Sequence, residues 1–223
     1  MAKIHGIAGE WAKVKGAVIG LWPLFVGVFL LGFSIALTIS YPLVGVLLTV
    51  ASLLYVMISL QRGLRHVESY YKGAMGEERV SAILKRLPDE YHVFNDFAVK
   101  GEHVDHVVIG PGGVFSIETK FWNGKVTIED RCILVDGHLP TRPPLAQTVK
   151  EAKLVKEALS EVGWSGTVTP VLVFASNTFA ARRAEINGAV IMNSDEIIDS
   201  FGTNRVAIPP AELDRLISIL ESR

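Results

Sequence analysis

Residues 103–120 read HVDHVVIGPGGVFSIETK, two alternating apolar segments joined by a glycine-rich turn. The segments 103–109 and 114–121 have the length and composition of strands, and residues 110–113 give a strong turn signal. The stretch therefore predicts a β-hairpin, with Asp105 on the first strand and Glu118 and Lys120 on the second. Because successive side chains of a strand point to opposite faces, Glu118 and Lys120 share a face.

The sequence on either side of this hairpin predicts an α/β fold. Before it, apolar residues at three- and four-residue steps indicate a helix from about Ala74 to Pro88, and a strand is expected at 91–99. The segments after it, in order, are a hairpin-like pair at 125–135, a helix at 145–159, short buried strands at 168–174 and 189–192, and a last helix opened by Pro209 and Pro210. Helices that alternate with strands in this order favour a mixed sheet flanked by helices.

The N-terminal part of the chain has a different character, because no charged residue or histidine lies between Lys15 and Arg62. A Ser-Tyr-Pro break at 40–42 divides this run into segments 16–39 and 43–60. At a rise of 1.5 Å per residue they reach about 35 and 27 Å, close to the roughly 30 Å of a bilayer core. The pattern predicts a transmembrane helical hairpin, since the apolar core of a signal peptide is much shorter.

Charges beside the two spans indicate their orientation. Lys13 and Lys15 precede the first span, Arg62 and Arg65 follow the second, and the short connector carries no cation. Cytoplasmic flanks are rich in Lys and Arg, so both termini and the soluble domain are expected in the cytoplasm of a two-span membrane protein. The predicted division is a cytoplasmic tail (1–15), the two spans (within 16–61), a juxtamembrane linker (62–73) and a soluble domain (74–223).

Composition limits the functions open to the soluble part. From Arg62 onward the chain has 19 basic and 22 acidic residues, a net charge of −3, which argues against a strongly basic nucleic-acid binder. Any binding of nucleic acid is expected to be weak and strongly salt-dependent. Cys132 is the single cysteine, so the chain forms no intrachain disulfide, and it is expected to be a small buried hydrophobe.

The hairpin offers a set of residues suited to phosphodiester chemistry. Asp105 and Glu118 converge across the turn, and Glu77 points inward with the apolar stripe of the preceding helix. Converging carboxylates repel unless a cation lies between them, and Mg²⁺ or Mn²⁺ prefers oxygen ligands. Lys120 would add a positive charge beside the attacking water or the phosphate, which suits metal-dependent hydrolysis. The alternative is an exposed Glu–Lys pair on a strand surface.

Three short runs resemble a known family. Residues 72–77 (KGAMGE), 104–108 (VDHVV) and 113–120 (GVFSIETK) are similar to the nuclease-related domain, or NERD. The resemblance extends from about Tyr70 to Met192. It implies the PD-(D/E)XK nuclease superfamily, and with it a restriction-endonuclease-like core whose elements follow the order αβββαβ.

The resemblance also implies roles for individual residues. Asp105 and Glu118 would bind the metal, Glu77 would assist as a further metal or water partner, and Lys120 would be the catalytic lysine. Gln147 matches the polar residue that the family places at the start of the following helix. A solvated residue at the helix start is the other interpretation of Gln147.

Two functions of different classes remain open. The first is a membrane-anchored, Mg²⁺- or Mn²⁺-dependent nuclease that acts on nucleic acid, with DNA expected rather than RNA. The second is a catalytically silent binding or scaffold module held at the membrane by the same hairpin. A zinc site at His103 and His106 is disfavoured, because the two residues lie on opposite faces of one strand. The oligomeric state is left open.

Overall fold

The structure, a computed structural model, describes residues 1–201 and 208–221. It divides into two compact units. One comprises Trp11–Ala74. The other combines Met1–Glu10 with the chain from Met75 onward, so it draws on both ends of the sequence.

The first unit is formed by two long helices, α1 (Glu10–Ser40) and most of α2 (Pro42–Leu84). The break at Tyr41 falls where Pro42 disfavours helix in the preceding residue. Both helices are long and apolar enough to cross a membrane, and only 17% and 11% of their most apolar windows are buried within the protein. Large apolar side chains such as Phe29 and Ile39 are therefore exposed, which distinguishes these helices from the core helices of a soluble protein.

The second unit is built on a mixed sheet flanked by helices. Its elements are β1 (Lys3–His5), β2 (His92–Val99), β3 (Glu102–Gly110), β4 (Gly113–Lys120), β5 (Val126–Glu129), β6 (Cys132–Val135), α3 (Pro144–Ser160), β7 (Val168–Phe174), β8 (Arg183–Ile186), β9 (Ala189–Asn193), a 3₁₀ turn (Ser194–Glu196), α4 (Ile197–Phe201) and α5 (Pro210–Glu221). The seven strands of the sheet have the order β1-β2-β3-β4-β7-β9-β8, and β5 and β6 form a separate hairpin. Strands β2, β3 and β4 are antiparallel, whereas β4, β7 and β9 run parallel to one another.

Side-chain alternation along β4 places the core on both faces of the sheet. Phe115 and Ile117 belong to a buried cluster with Val80 and Leu84 from the end of α2. Val114 faces the opposite side and packs in a cluster with residues of α3 and α5. The end of α2, strands β2 to β4, α3 and β7 come in this order along the chain, with the β5–β6 hairpin inserted between β4 and α3, which confirms the predicted αβββαβ core.

Some elements carry too little sequence pattern to be expected. Strand β1 has only three residues, yet it pairs in parallel with β2 and adds an edge strand from the segment 1–15 expected to be a tail. The segment 62–73, expected to be a linker, is helical along its whole length within α2. Its polar surface includes a Glu68–Lys72 ion pair at 2.8 Å, the i,i+4 arrangement that supports a helix in water.

Candidate active site

The site begins where strands β3 and β4 separate. Their ladder runs from Gly110–Gly113 to His106–Ile117 and ends there. One step further, the side chain of Asp105 accepts a hydrogen bond from the backbone N–H of Thr119 at 2.7 Å. The carboxyl group of Asp105 thus accepts the hydrogen bond that a backbone carbonyl would accept if the ladder continued. This contact holds Asp105 beside Glu118, as the sequence predicts for this hairpin.

A chain of four polar side chains then connects β4 to α3. Lys120 Nζ donates to Glu118 Oε1 and, at 3.1 Å, to Gln147 Oε1. Gln147 Nε2 donates to Glu151 Oε1 at 2.9 Å. Gln147 and Glu151 lie four residues apart on α3 and therefore on the same face. Gln147 is exposed, but its amide is held in this network on both sides.

Two carboxylate oxygens at the centre of the site have no hydrogen-bond donor. Glu118 and Glu151 are only 2% and 4% exposed, and their Oε2 atoms are buried without a partner. The two carboxyl groups are close enough to form a hydrogen bond once either of them is protonated. Leaving a buried acceptor unsatisfied is costly, so the pair requires either a shared proton or a cation.

Burial and mutual repulsion shift the titration of these carboxyl groups. Burial first, and then the charge of Glu118, raise the pKa of Glu151 to about 9. Burial, followed by the charges of Glu118 and Glu77, raises the pKa of Asp105 well above its usual range. Burial lowers the pKa of the Lys120 ammonium. The negative charges of Glu118 and Asp105 have the larger combined effect and raise the pKa above its ordinary value. The lysine therefore stays protonated among carboxyl groups that compete for ionisation.

Glu77 reaches the site from the last turns of α2. A Cβ atom at the preceding residue, Gly76, would lie 3.0 Å from Phe121 Cβ, so glycine allows the helix to approach the end of β4 closely. Burial, then the charges of Asp96 and Glu118, raise the pKa of Glu77 to about 7, against a hydrogen bond from the backbone N–H of Gly9. The N-terminal segment thus contributes a donor to the site.

The donor set matches a hard divalent cation. Asp105, Glu118, Glu77 and Glu151 offer only carboxylate oxygens, and two of these oxygens are buried without partners. Mg²⁺ binds through one or two carboxylates and keeps several waters, so it does not require a closed cage of protein ligands. A cation at this position would also offset the repulsion that raises the carboxyl pKa values.

The structure brings all five residues of the predicted site together: Glu77, Asp105, Glu118, Lys120 and Gln147. Sequence reasoning missed Glu151, although its position one helical turn after Gln147 was a usable signal. It also missed Asp96, which has a positive φ of 51° and lies between the ladder pairs Asn95–His106 and Phe97–Val104, level with Asp105. A left-handed backbone at a non-glycine residue inside a strand has no clear sequence signature, although Asp adopts it more readily than most residues.

The other candidate residues have separate environments. His103 Nδ1 lies 2.8 Å from Asp96, and His106 Nδ1 lies 2.8 Å from the side-chain oxygen of Asn95. Burial lowers the pKa of His106 to about 3, so this ring is neutral. The expectation that Cys132 is buried is wrong, because the thiol lies on the exposed start of β6.

Comparison with known proteins defines the class of the soluble domain. Residues 72–175 match the family model of the nuclease-related domain, NERD, and this range contains every member of the site described above except the Gly9 donor. The chain therefore carries a nuclease-related domain. A stretch of 78 residues is 35% identical to an uncharacterized protein of Bacillus anthracis, covering 32% of this chain and 37% of that protein. No solved structure matches the chain.

Proposed function

We propose that this protein is a membrane-anchored, metal-dependent nuclease that hydrolyses phosphodiester bonds in DNA. The observation that carries the proposal is the ion pair of Lys120 with the buried Glu118, beside Asp105 and within the nuclease-related domain. An exposed Glu–Lys pair on a strand surface would explain neither the burial of Glu118 nor its unpartnered oxygen.

Asp105 and Glu118 would hold Mg²⁺ or Mn²⁺, with Glu77 and Glu151 beside them. When bound, such an ion supplies a Lewis acid for the phosphate and lowers the pKa of a coordinated water. Lys120 places a positive charge where negative charge develops on the phosphate oxygens, and Gln147 orients that ammonium. Glu77, with a pKa of about 7, is partly ionised at neutral pH and suits the role of proton acceptor from water.

A largely apolar groove with three basic side chains in its lining offers a place for the nucleic-acid backbone. It lies between the β5–β6 hairpin and α3, has a volume of about 700 Å³, and has Arg131, Lys150 and Lys153 in its lining. None of the described lining residues is acidic, although Lys150 forms an ion pair with Glu102 at 2.7 Å. Three cations contact few phosphates, which supports weak and salt-dependent binding.

The sheet itself supports a hairpin topology for the anchor. Strand β1 precedes α1, strand β2 follows α2, and the two strands are hydrogen-bonded neighbours. If the two helices enter a bilayer as a hairpin, this pairing agrees with both of their outer ends lying on the same side. Lys13 and Arg62, on the flanks of the apolar run, favour the cytoplasmic side.

The nuclease proposal is tested with the full chain purified in detergent. Circular and linear, single- and double-stranded DNA and RNA are incubated at low salt with Mg²⁺, Mn²⁺ or chelator. We expect metal-dependent cleavage of DNA that is lost in Asp105→Asn and retained in the surface control Asp136→Asn. If the folded parent cleaves none of these substrates, the silent scaffold becomes the better account.

The topology is tested with the natural single cysteine. Because Cys132 is exposed and is the chain's one thiol, it reports the side on which the soluble unit lies. A membrane-impermeant maleimide should label it only after cells are permeabilised, and a Cys132→Ser variant should not be labelled. Labelling in intact cells would refute the cytoplasmic orientation.

A further inference from the structure

A second cluster of metal-binding side chains lies outside the carboxylate site. It consists of His5 on β1, His92 on β2 and Glu221 at the end of α5. His5 Nε2 lies 3.1 Å from His92 Nδ1, and His5 Nδ1 lies 3.7 Å from Glu221 Oε1. Within 1–201 and 208–221, this is the group of three or more His, Cys, Asp or Glu residues whose ligand atoms all lie within 4.8 Å of one another.

The backbone explains why these residues meet. In the parallel β1–β2 pair Lys3 is opposite His92, and His5, two residues further, projects from the same face as Lys3. Helix α5 brings Glu221 to this edge. Asp214 lies seven residues earlier, two helical turns away, and its negative charge also acts on His92. Three segments far apart in sequence therefore converge on the edge strand.

The chemistry of the cluster favours a borderline transition metal over Mg²⁺. Imidazole nitrogens suit zinc and its neighbours, whereas Mg²⁺ selects oxygen donors. The nitrogen separation of 3.1 Å is close to the distance of about 3.3 Å between two ligands of a tetrahedral zinc ion with bonds of 2.0–2.1 Å. His92 is 6% exposed, so its ring is held in place within the edge of the sheet.

The site also has an entry path and a free position. A cavity of about 460 Å³ opens beside it, with Lys3, His92, Asp214 and Ile217 in its lining. Three protein ligands leave one tetrahedral position for water or for Asp214. Without an ion, the two rings share a single N–H···N contact, because one ring must donate and the other accept.

We propose that His5, His92 and Glu221 bind one Zn²⁺ ion that fastens β1 and α5 to the edge of the sheet. Strand β1 has three residues and lies at the sheet edge, so its pairing alone is short. A metal bond to β2 and α5 would lock the segment that leads into α1 and that carries the Gly9 donor to Glu77.

Zinc binding is measured with the untagged full chain in detergent, stripped with chelator and titrated against a chromophoric zinc chelator. A Glu118→Gln background removes the central ligand of the carboxylate site from the measurement. We expect one tight zinc ion per chain. Its affinity should fall in His92→Gln and in His5→Gln by more than the ~10–100-fold typical of an outer-shell partner. The controls His138→Gln and Glu212→Gln should bind as the background does.

Hydrogen exchange provides a second readout that keeps the test decisive if a variant is unstable. Lys3 N–H donates to the backbone oxygen of Tyr91, so its exchange reports the docking of β1. Zinc should slow exchange across residues 2–5 in the Glu118→Gln background but not in the His5→Gln variant, whose substitution lies on the edge strand. Zinc affinity that is equal in all variants, or tight binding that leaves β1 exchange unchanged, would overturn the proposal. Cleavage assays play no part in this outcome.

Discussion

Replacing Glu151 by glutamine should stabilise the metal-free protein. The carboxyl group of Glu151 has an ordinary pKa of 4.5 and a folded-state pKa of about 9, so folding at pH 7 forces it to take up a proton. At about 1.36 kcal/mol per pH unit, the 2.5 units between pH 4.5 and pH 7 cost about 3 kcal/mol of stability. Glutamine has the same shape and needs no proton, so Glu151→Gln removes this cost.

The sign and the pH window follow from the raised pKa. Below pH 4.5 the carboxyl group is protonated in both the folded and the unfolded state, so the variant gains nothing. The gain grows as the pH rises from 4.5 towards 9 and is constant above that value. Since 1 kcal/mol shifts the Tm of a domain of 150–250 residues by about 2–4 °C, the expected increase at pH 7 is about 6–12 °C.

The assay is a thermal melt of the full chain in detergent with chelator, followed by near-ultraviolet circular dichroism between pH 4 and pH 9. Glu157→Gln on the same helix is the matched control, because 44% of the Glu157 side chain is exposed and it pairs with Lys100 at the surface. Added Mg²⁺ should stabilise the parent more than Glu151→Gln, because the variant lacks one carboxylate beside the ion. A variant that melts at or below the parent at pH 7 in chelator would refute the buried, proton-sharing carboxyl pair.

Three further predictions concern the helix approach, the groove and the metal. Gly76→Ala should destabilise the protein by about 1–3 kcal/mol and reduce cleavage, because the added Cβ would press on Phe121. In thermal melts the control Gly73→Ala should unfold as the parent does, because a Cβ at that position meets no atom within 4 Å. Lys153→Gln should weaken DNA binding and reduce the slope of log affinity against log salt by about one, measured by fluorescence anisotropy. Mg²⁺ affinity should rise with pH through about 7, where Glu77 ionises, and binding should release protons, detectable by calorimetry in buffers of different ionisation enthalpy.

The hairpin and the core order were predictable because they rest on short-range patterns. Alternation along β4 placed Glu118 and Lys120 on one face and Phe115 and Ile117 on the other, and the structure has the same division. The glycine-rich turn fixed the register that brings Asp105 to Glu118. A hydrophobic period of two residues needs no information from distant parts of the chain.

The missing parts of the site depend on long-range contacts. Glu151 lies on an amphipathic helix, and sequence alone predicts that a single carboxylate on such a helix is exposed. Its burial becomes evident only when the strand that faces the helix is known. The docking of β1 depends on pairing with residues almost ninety positions away, and three residues carry too little pattern to predict a strand. The contribution of Gly9 to Glu77 follows from that docking and is equally invisible in the sequence.

The most direct test of the nuclease account is a paired measurement on Lys120→Met. Metal binding is followed by Mn²⁺ titration and cleavage is followed on the same protein and the same DNA. The substitution removes the positive charge of Lys120 from beside Glu118, Asp105 and Glu151. Metal affinity should therefore stay equal or increase, while cleavage is lost. Cleavage at the parental rate by Lys120→Met would contradict the account, because the lysine would then have no part in stabilising the phosphate.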